Sequence, residues 1–98
     1  MNESETEKAI QAKGLNAPRL TPSDVDAAIR SETFTRLPSG KCLICEVTLQ
    51  NGFTVRGEAS VVRPENFDQE IGEKISREDA RKKIWPLLAY MLQEKYPA

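Results

Sequence analysis

The sequence predicts an α+β fold: N-terminal helices, an antiparallel β-hairpin or meander over about 33–62, and two C-terminal helices, about 65–74 and 77–95, packed on one sheet face. Three observations carry this. Leu43, Cys45, Val47 and Leu49 alternate with Ile44, Glu46 and Thr48, and past Asn51-Gly52 a second run, Phe53, Val55, Gly57, Ala59 and Val61, alternates with polar residues. That period of two marks paired strands with one dry and one wet face. Thr21-Pro22-Ser23-Asp24 places a capping hydroxyl, a proline at the first helical position and a carboxylate three after the cap. Finally, Ala80, Ile84, Trp85, Leu87, Leu88, Met91 and Leu92 share an arc of about 160° at ~3.6 residues per turn.

Each element follows in order. Residues 3–13 have helix propensity but offer only Ala9, Ile10 and Ala12 to bury, so a weak helix is expected, stopped at Lys13-Gly14. Leu15 to Leu20 is an extended linker. Residues 1–20 are therefore read as a weak helix and linker, and 21–98 as one α+β domain. Val25, Ala28 and Ile29 make one apolar stripe for a short helix over 22–30. Thr33-Phe34-Thr35 predicts a short strand, closed by the turn cluster Pro38-Ser39-Gly40.

The hairpin register is decided by the pattern. A two-residue Asn51-Gly52 turn would set Val47 against Arg56 and mix the faces. A three-residue loop, Gln50-Asn51-Gly52 with Gly52 left-handed, sets Val47 against Val55, Thr48 against Thr54 and Glu46 against Arg56. The second is expected. Gly57 falls mid-strand on the dry face opposite Cys45, where a ring or helix backbone can approach closely. Arg63-Pro64 ends the sheet. Phe67, Ile71 and Ile75 suggest a stripe for the helix at 65–74, and Ser76 a fresh N-cap for the helix at 77–95, with Asp79 three later. Pro86 inside that helix predicts a kink near Lys82 to Pro86.

Composition narrows the chemistry. In 98 residues, 14 Lys and Arg against 15 Asp and Glu leave a net charge of −1, which does not suit a dedicated polyanion binder. Histidine is absent, which removes imidazole catalysis and most zinc sites. A hydrophobic content of 39% is lean, so oligomerisation is expected to supplement the core. Cys42 and Cys45 form a C-x-x-C on a strand. Residues i and i+3 there face opposite ways, so two separate thiols are expected rather than a disulfide or metal clip. Met1 to Lys8 is acidic and polar, unlike a secretory signal, and the apolar stretch Ile84 to Leu92 is too short to span a bilayer. A soluble cytoplasmic protein without a membrane partner is expected.

Several motifs together resemble one family. Asn51-Gly52-Phe53-Thr54-Val55, Gly57-Glu58, Pro64-Glu65-Asn66-Phe67-Asp68, Glu70-Ile71-Gly72 and Lys83-Ile84-Trp85-Pro86-Leu87 are similar to the small tailed-phage and prophage protein family named after phage N-four gene forty-nine and phage Sf-six gene sixty-six. Lys13-Gly14-Leu15 and Ala17-Pro18-Arg19-Leu20-Thr21-Pro22 fit it too. Residues 31–41 are shorter than the family's corresponding stretch. The resemblance implies a phage or prophage gene, a bacterial host cytoplasm and an accessory rather than virion role. It assigns no catalytic residue and no cofactor.

The candidate binding surface lies on the last predicted helix. Arg77 and Arg81 fall inside the apolar arc, with Lys82 and Lys83 beside them, the chain's local basic concentration. Three readings stand: stems snorkelling over the core, an ion pair across a subunit interface, or an anion site beside an aromatic wall. Trp85 sits at the edge of the arc, and Tyr90 points away from the Ile84 face. The carboxylates Glu65, Asp68, Glu70 and Glu73 diverge, as a solvated helix start does. Catalytic residues, metal and cofactor are expected to be none. The leading expectation is a non-enzymatic phage accessory module that binds a host protein as a homo-oligomer. The alternative is nucleic-acid or nucleotide-signal binding through Arg77, Arg81, Lys82 and Lys83.

Overall fold

The hairpin adopts the register that the alternation selects. In the computed structural model, which describes residues 2–15 and 17–97, strands β2 (Cys42–Leu49) and β3 (Thr54–Ser60) pair Val47 with Val55, Glu46 with Arg56 and Thr48 with Thr54. Gly52 takes φ +91°, and Leu49 N–H donates to Phe53 O at 2.8 Å, closing the three-residue loop. Only a residue without Cβ takes that φ cheaply. Strand β1 (Ile29–Arg36) pairs antiparallel with β2, giving a meander in the order β1-β2-β3.

β1 is longer than the three residues expected. Helix α2 (Pro22–Ala28) stops two residues short of the predicted 30 because Ile29 is already extended and enters the sheet. Gln50 holds that junction: its N–H donates to Ala28 O, and its Nε2 donates to Ala27 O at 3.3 Å and Ile29 O at 3.2 Å. The start of α2 follows the prediction, with Thr21 and Asp24 forming a reciprocal capping box. The weak N-terminal helix is α1 (Glu3–Ala12), capped by Asn2 and followed by Gly14 at φ +66°; it buries no residue.

The two C-terminal helices expected at 65–74 and 77–95 are one. Pro64–Asn66 forms a single 3₁₀ turn, and α3 runs unbroken from Gln69 to Lys95, through Pro86, with Asp68 as its N-cap. Ser76 does not cap a new helix. It is fully buried, and its Oγ donates to Gly72 O at 2.7 Å, one turn back. Nor do Ile71 and Ile75 face the core: they are 59% and 48% exposed. The buried stripe is Gly72, Ser76, Ala80 and Ile84. Its small residues let the helix backbone reach the sheet.

Gly57 explains why that stripe wins. A Cβ built there would overlap Ser76 O and Ala80 N, both backbone atoms of α3. The strand and helix therefore meet at backbone distance, and Gly57 opposite Cys45 is the gap that admits them. Around this seam close Val25, Leu43, Cys45, Val47, Leu49, Val55, Ala59 and Ile84, the buried core. α3 lies across β3 and β2. The opposite sheet face, with Thr33, Thr35, Glu46, Arg56 and Glu58, stays uncovered by helix.

Candidate binding surface on the last helix

Arg81 is the hub of this surface. α3 places Arg77, Arg81 and Trp85 at successive four-residue steps, so all three line one side of the helix. α1 and α2 then bring carboxylates to them. Glu3 accepts from Arg81 Nη2 at 2.8 Å and from Arg81 Nε at 3.0 Å, while Trp85 Nε1 donates to the same carboxylate at 3.0 Å. Asp26 accepts from Arg81 Nη1 at 2.7 Å. The Arg81 side chain is only 15% exposed, so its stem lies on apolar surface while its guanidinium ties three helices together.

The electrostatics follow from this geometry. The Arg81 guanidinium holds the Glu3 carboxyl below its ordinary range, reinforced by Trp85 and opposed by burial. Arg77 is engaged separately, with Nη2 2.7 Å from Glu32 on β1 and its guanidinium over the Phe34 ring. The partners of both arginines thus belong to their own chain, and the Arg81 pair does not await a second subunit. Neither guanidinium is left free for a phosphate.

The structure divides the predicted residues. Lys82 joins Arg81 and Trp85 along a groove of about 570 Å³ that also includes Glu3, Lys74 and Glu78. Three cations face two carboxylates there, and Asp26 behind Arg81 balances the count. Lys83 points elsewhere: its Nζ donates to Arg56 O on the free edge of β3. Tyr90, one heptad further on, is 70% exposed. The six residues are two surfaces, not one site.

Sequence reasoning missed Glu3, Asp26 and Glu32 as partners. An arginine inside an apolar arc is compatible with snorkelling, an ion pair or an anion site, and spacing cannot name a carboxylate partner 78 residues away. It also missed Asp79, whose Oδ2 accepts from Glu58 N–H at 3.0 Å, beside Lys83 on the same strand edge.

The cysteines sit as the strand pattern requires. Cys45 is buried under α3, and burial pushes its thiol up to about 11. Cys42 faces the other side of the sheet, half-buried, 3.6 Å from Glu58 Oε2. Among the described residues, no cluster of three or more Cys, Asp or Glu converges as metal ligands would, and no helix is long and apolar enough to cross a membrane.

Fold and surface together define a small α+β protein: a three-stranded antiparallel meander backed by one long helix, with Arg77 and Arg81 holding its own elements together. The chain belongs to the Phage protein (N4 Gp49/phage Sf6 gene 66) family, whose model matches residues 20–96. Helix α1, with Glu3, lies outside the matched residues. Comparison with curated proteins and with solved structures gives no match.

Proposed function

We propose that this phage protein is a non-enzymatic accessory module that acts by binding a host protein. One observation carries the reading: the C-terminal half of α3 leaves apolar side chains on the surface after the core is complete. Met91 is 61% exposed, and Tyr96 is also exposed. They border a groove of about 560 Å³ between α3 and the Pro18–Leu20 linker, with Leu88 and Leu92 as its floor. Apolar surface of this kind, rimmed by Arg19, Asp24 and Lys95, suits a protein partner.

Charge argues in the same direction. A polyanion site needs cations in excess, whereas Arg77 and Arg81 are each matched by carboxylates and Lys83 is bound to backbone. Of the four cations behind the nucleic-acid alternative, Arg77, Arg81, Lys82 and Lys83, three are thus engaged within the chain. Cys45, buried and with a raised pKa, is a poor nucleophile.

Affinity capture from host lysate tests this. The expected result is one host protein retained in stoichiometric amount, still bound in about 0.5 M salt, and lost with Met91→Glu. Retention of nucleic acid that elutes with salt, or no retained protein that responds to Met91→Glu, overturns the reading.

A further inference from the structure

The two edges of the sheet are treated differently. On β3, the backbone groups that point away from β2 belong to the even-numbered residues, and α3 occupies two of them at mid-strand: Asp79 takes the Glu58 N–H and Lys83 the Arg56 C=O. On β1 the same reasoning identifies the free groups. Leu37 N–H donates to Cys42 O, and the pairing runs Thr35 to Ile44, Thr33 to Glu46 and Ser31 to Thr48. Hydrogen-bonded pairs alternate along an antiparallel ladder, so these odd residues face β2. Glu32, Phe34 and Arg36, beyond the irregularity at Arg30, therefore aim their N–H and C=O groups outward. Among the described residues, no backbone bond reaches those groups from outside the sheet. An open edge of eight residues is a template for another strand.

The sequence of that edge says which strand. Two copies of β1 related by a two-fold axis can meet in a few registers. Centred on Glu32, the carboxylate faces its own copy; centred on Thr33, Arg30 faces Arg36. Centred on Ser31, the contact falls on the irregularity between Ile29 and Ser31 and runs into α2. Centred on Phe34, Glu32 faces the second copy's Arg36, Phe34 faces Phe34, and Thr33 faces Thr35. Glu32 is already bonded to Arg77 of its own copy, and Arg36 is stacked on its own Phe67 and bonded to Gly40 O, so this contact would extend existing pairs. Opposite charges and like aromatic rings are the favourable cross-strand pairs. In this register Glu32, Phe34 and Arg36 also supply the outward hydrogen-bonding groups, so pattern and phase agree. α3 lies over β3 and β2 and reaches β1 through Arg77, which holds Glu32 and sits over the Phe34 ring on one face of the strand.

We propose that β1 is the self-association edge of the protein, joining two copies antiparallel about Phe34 into one six-stranded sheet. This supplies a surface for the homo-oligomer without invoking the host partner, and uses a different face from the α3 groove.

Light scattering across micromolar to millimolar concentration, with amide exchange, tests it. The expected mass is twice 11.0 kDa, with the Glu32, Phe34 and Arg36 amides protected as dimer forms and an intermolecular NOE between Thr33 Hα and Thr35 Hα. Phe34→Pro removes an outward N–H and leaves the β2 ladder bonded. Arg36→Glu sets carboxylates opposite one another at both ends. Each should weaken association about a hundredfold or more, with Arg36→Glu retaining the wild-type circular dichroism. A monomer at all concentrations overturns the proposal, as does a dimer that a folded Arg36→Glu variant leaves intact, or one without protection at those three amides. A dimer that captures no host protein would sink the host-binding reading and leave this one standing.

Discussion

α3 is held on two sides by different physics. Against β3 it meets the sheet backbone to backbone, with Gly57 under Ser76 and Ala80, and Asp79 and Lys83 bind the strand edge only beside that seam. Against α1 it is held through one carboxylate, Glu3, shared by Arg81 and Trp85, and α1 buries nothing. The Gly57 seam is dry, and the core closes around it. The second is polar and half-open, so salt and acid reach it. The difference separates what builds the fold from what fastens an extra helix onto it.

The largest expected effect breaks the first contact. Gly57→Ala inserts a methyl where backbone atoms already sit, so the helix must lift from the sheet as a unit. A loss of at least about 3 kcal/mol is expected by chemical denaturation. A loss below about 1 kcal/mol would mean the seam is looser than described.

Arg81→Met tests the second contact. The methionine keeps most of the stem packing, while Glu3 and Asp26 lose their cation. Both carboxylates are partly open to water and can rehydrate, so the loss should be about 1–2 kcal/mol. It should fall unevenly. Amide protection in α1 should disappear while that of β2 and β3 persists, and proteolysis at Lys8 and Lys13 should accelerate. Equal loss of protection in α1 and the sheet would merge the two regions into one cooperative unit.

Acid gives a smaller effect with a defined sign. The folded Glu3 carboxyl lies below its ordinary value of 4.5. Its contribution is therefore complete above that value and fades as pH falls through the depressed folded pKa. Trp85, the only tryptophan, reports it through its bond to Glu3. A shift in its emission is expected with a midpoint below 4.5, absent in Glu3→Gln. A midpoint above the ordinary value would reverse the argument.

The smallest effect separates the sheet's two faces. Cys42 should react with a thiol reagent in the native protein, and Cys45 only after unfolding. Cys42→Ser should change stability by about 0.5 kcal/mol or less.

Much of the sheet was legible because its information is local. A period of two over β2 and β3, and one glycine able to take a positive φ, select a single register, since a slip of one residue would expose Val47 and Val55. The capping box of α2 and the weak α1 were equally short-range signals. The long helix was not. Its buried face is Gly72, Ser76 and Ala80, which carry almost no hydrophobic signal, while Ile71 and Ile75 advertise a face that stays in water. Which face packs was decided by Gly57, a residue on another element, because contact at backbone distance favours the smallest side chains over the most apolar. The ties of Arg77 and Arg81 were decided the same way. The sequence left snorkelling, an ion pair between subunits and an anion site open for these guanidinium groups, and only the folded chain brings Glu32, Asp26 and Glu3 within reach, since pairing across such separations depends on the path of the whole backbone.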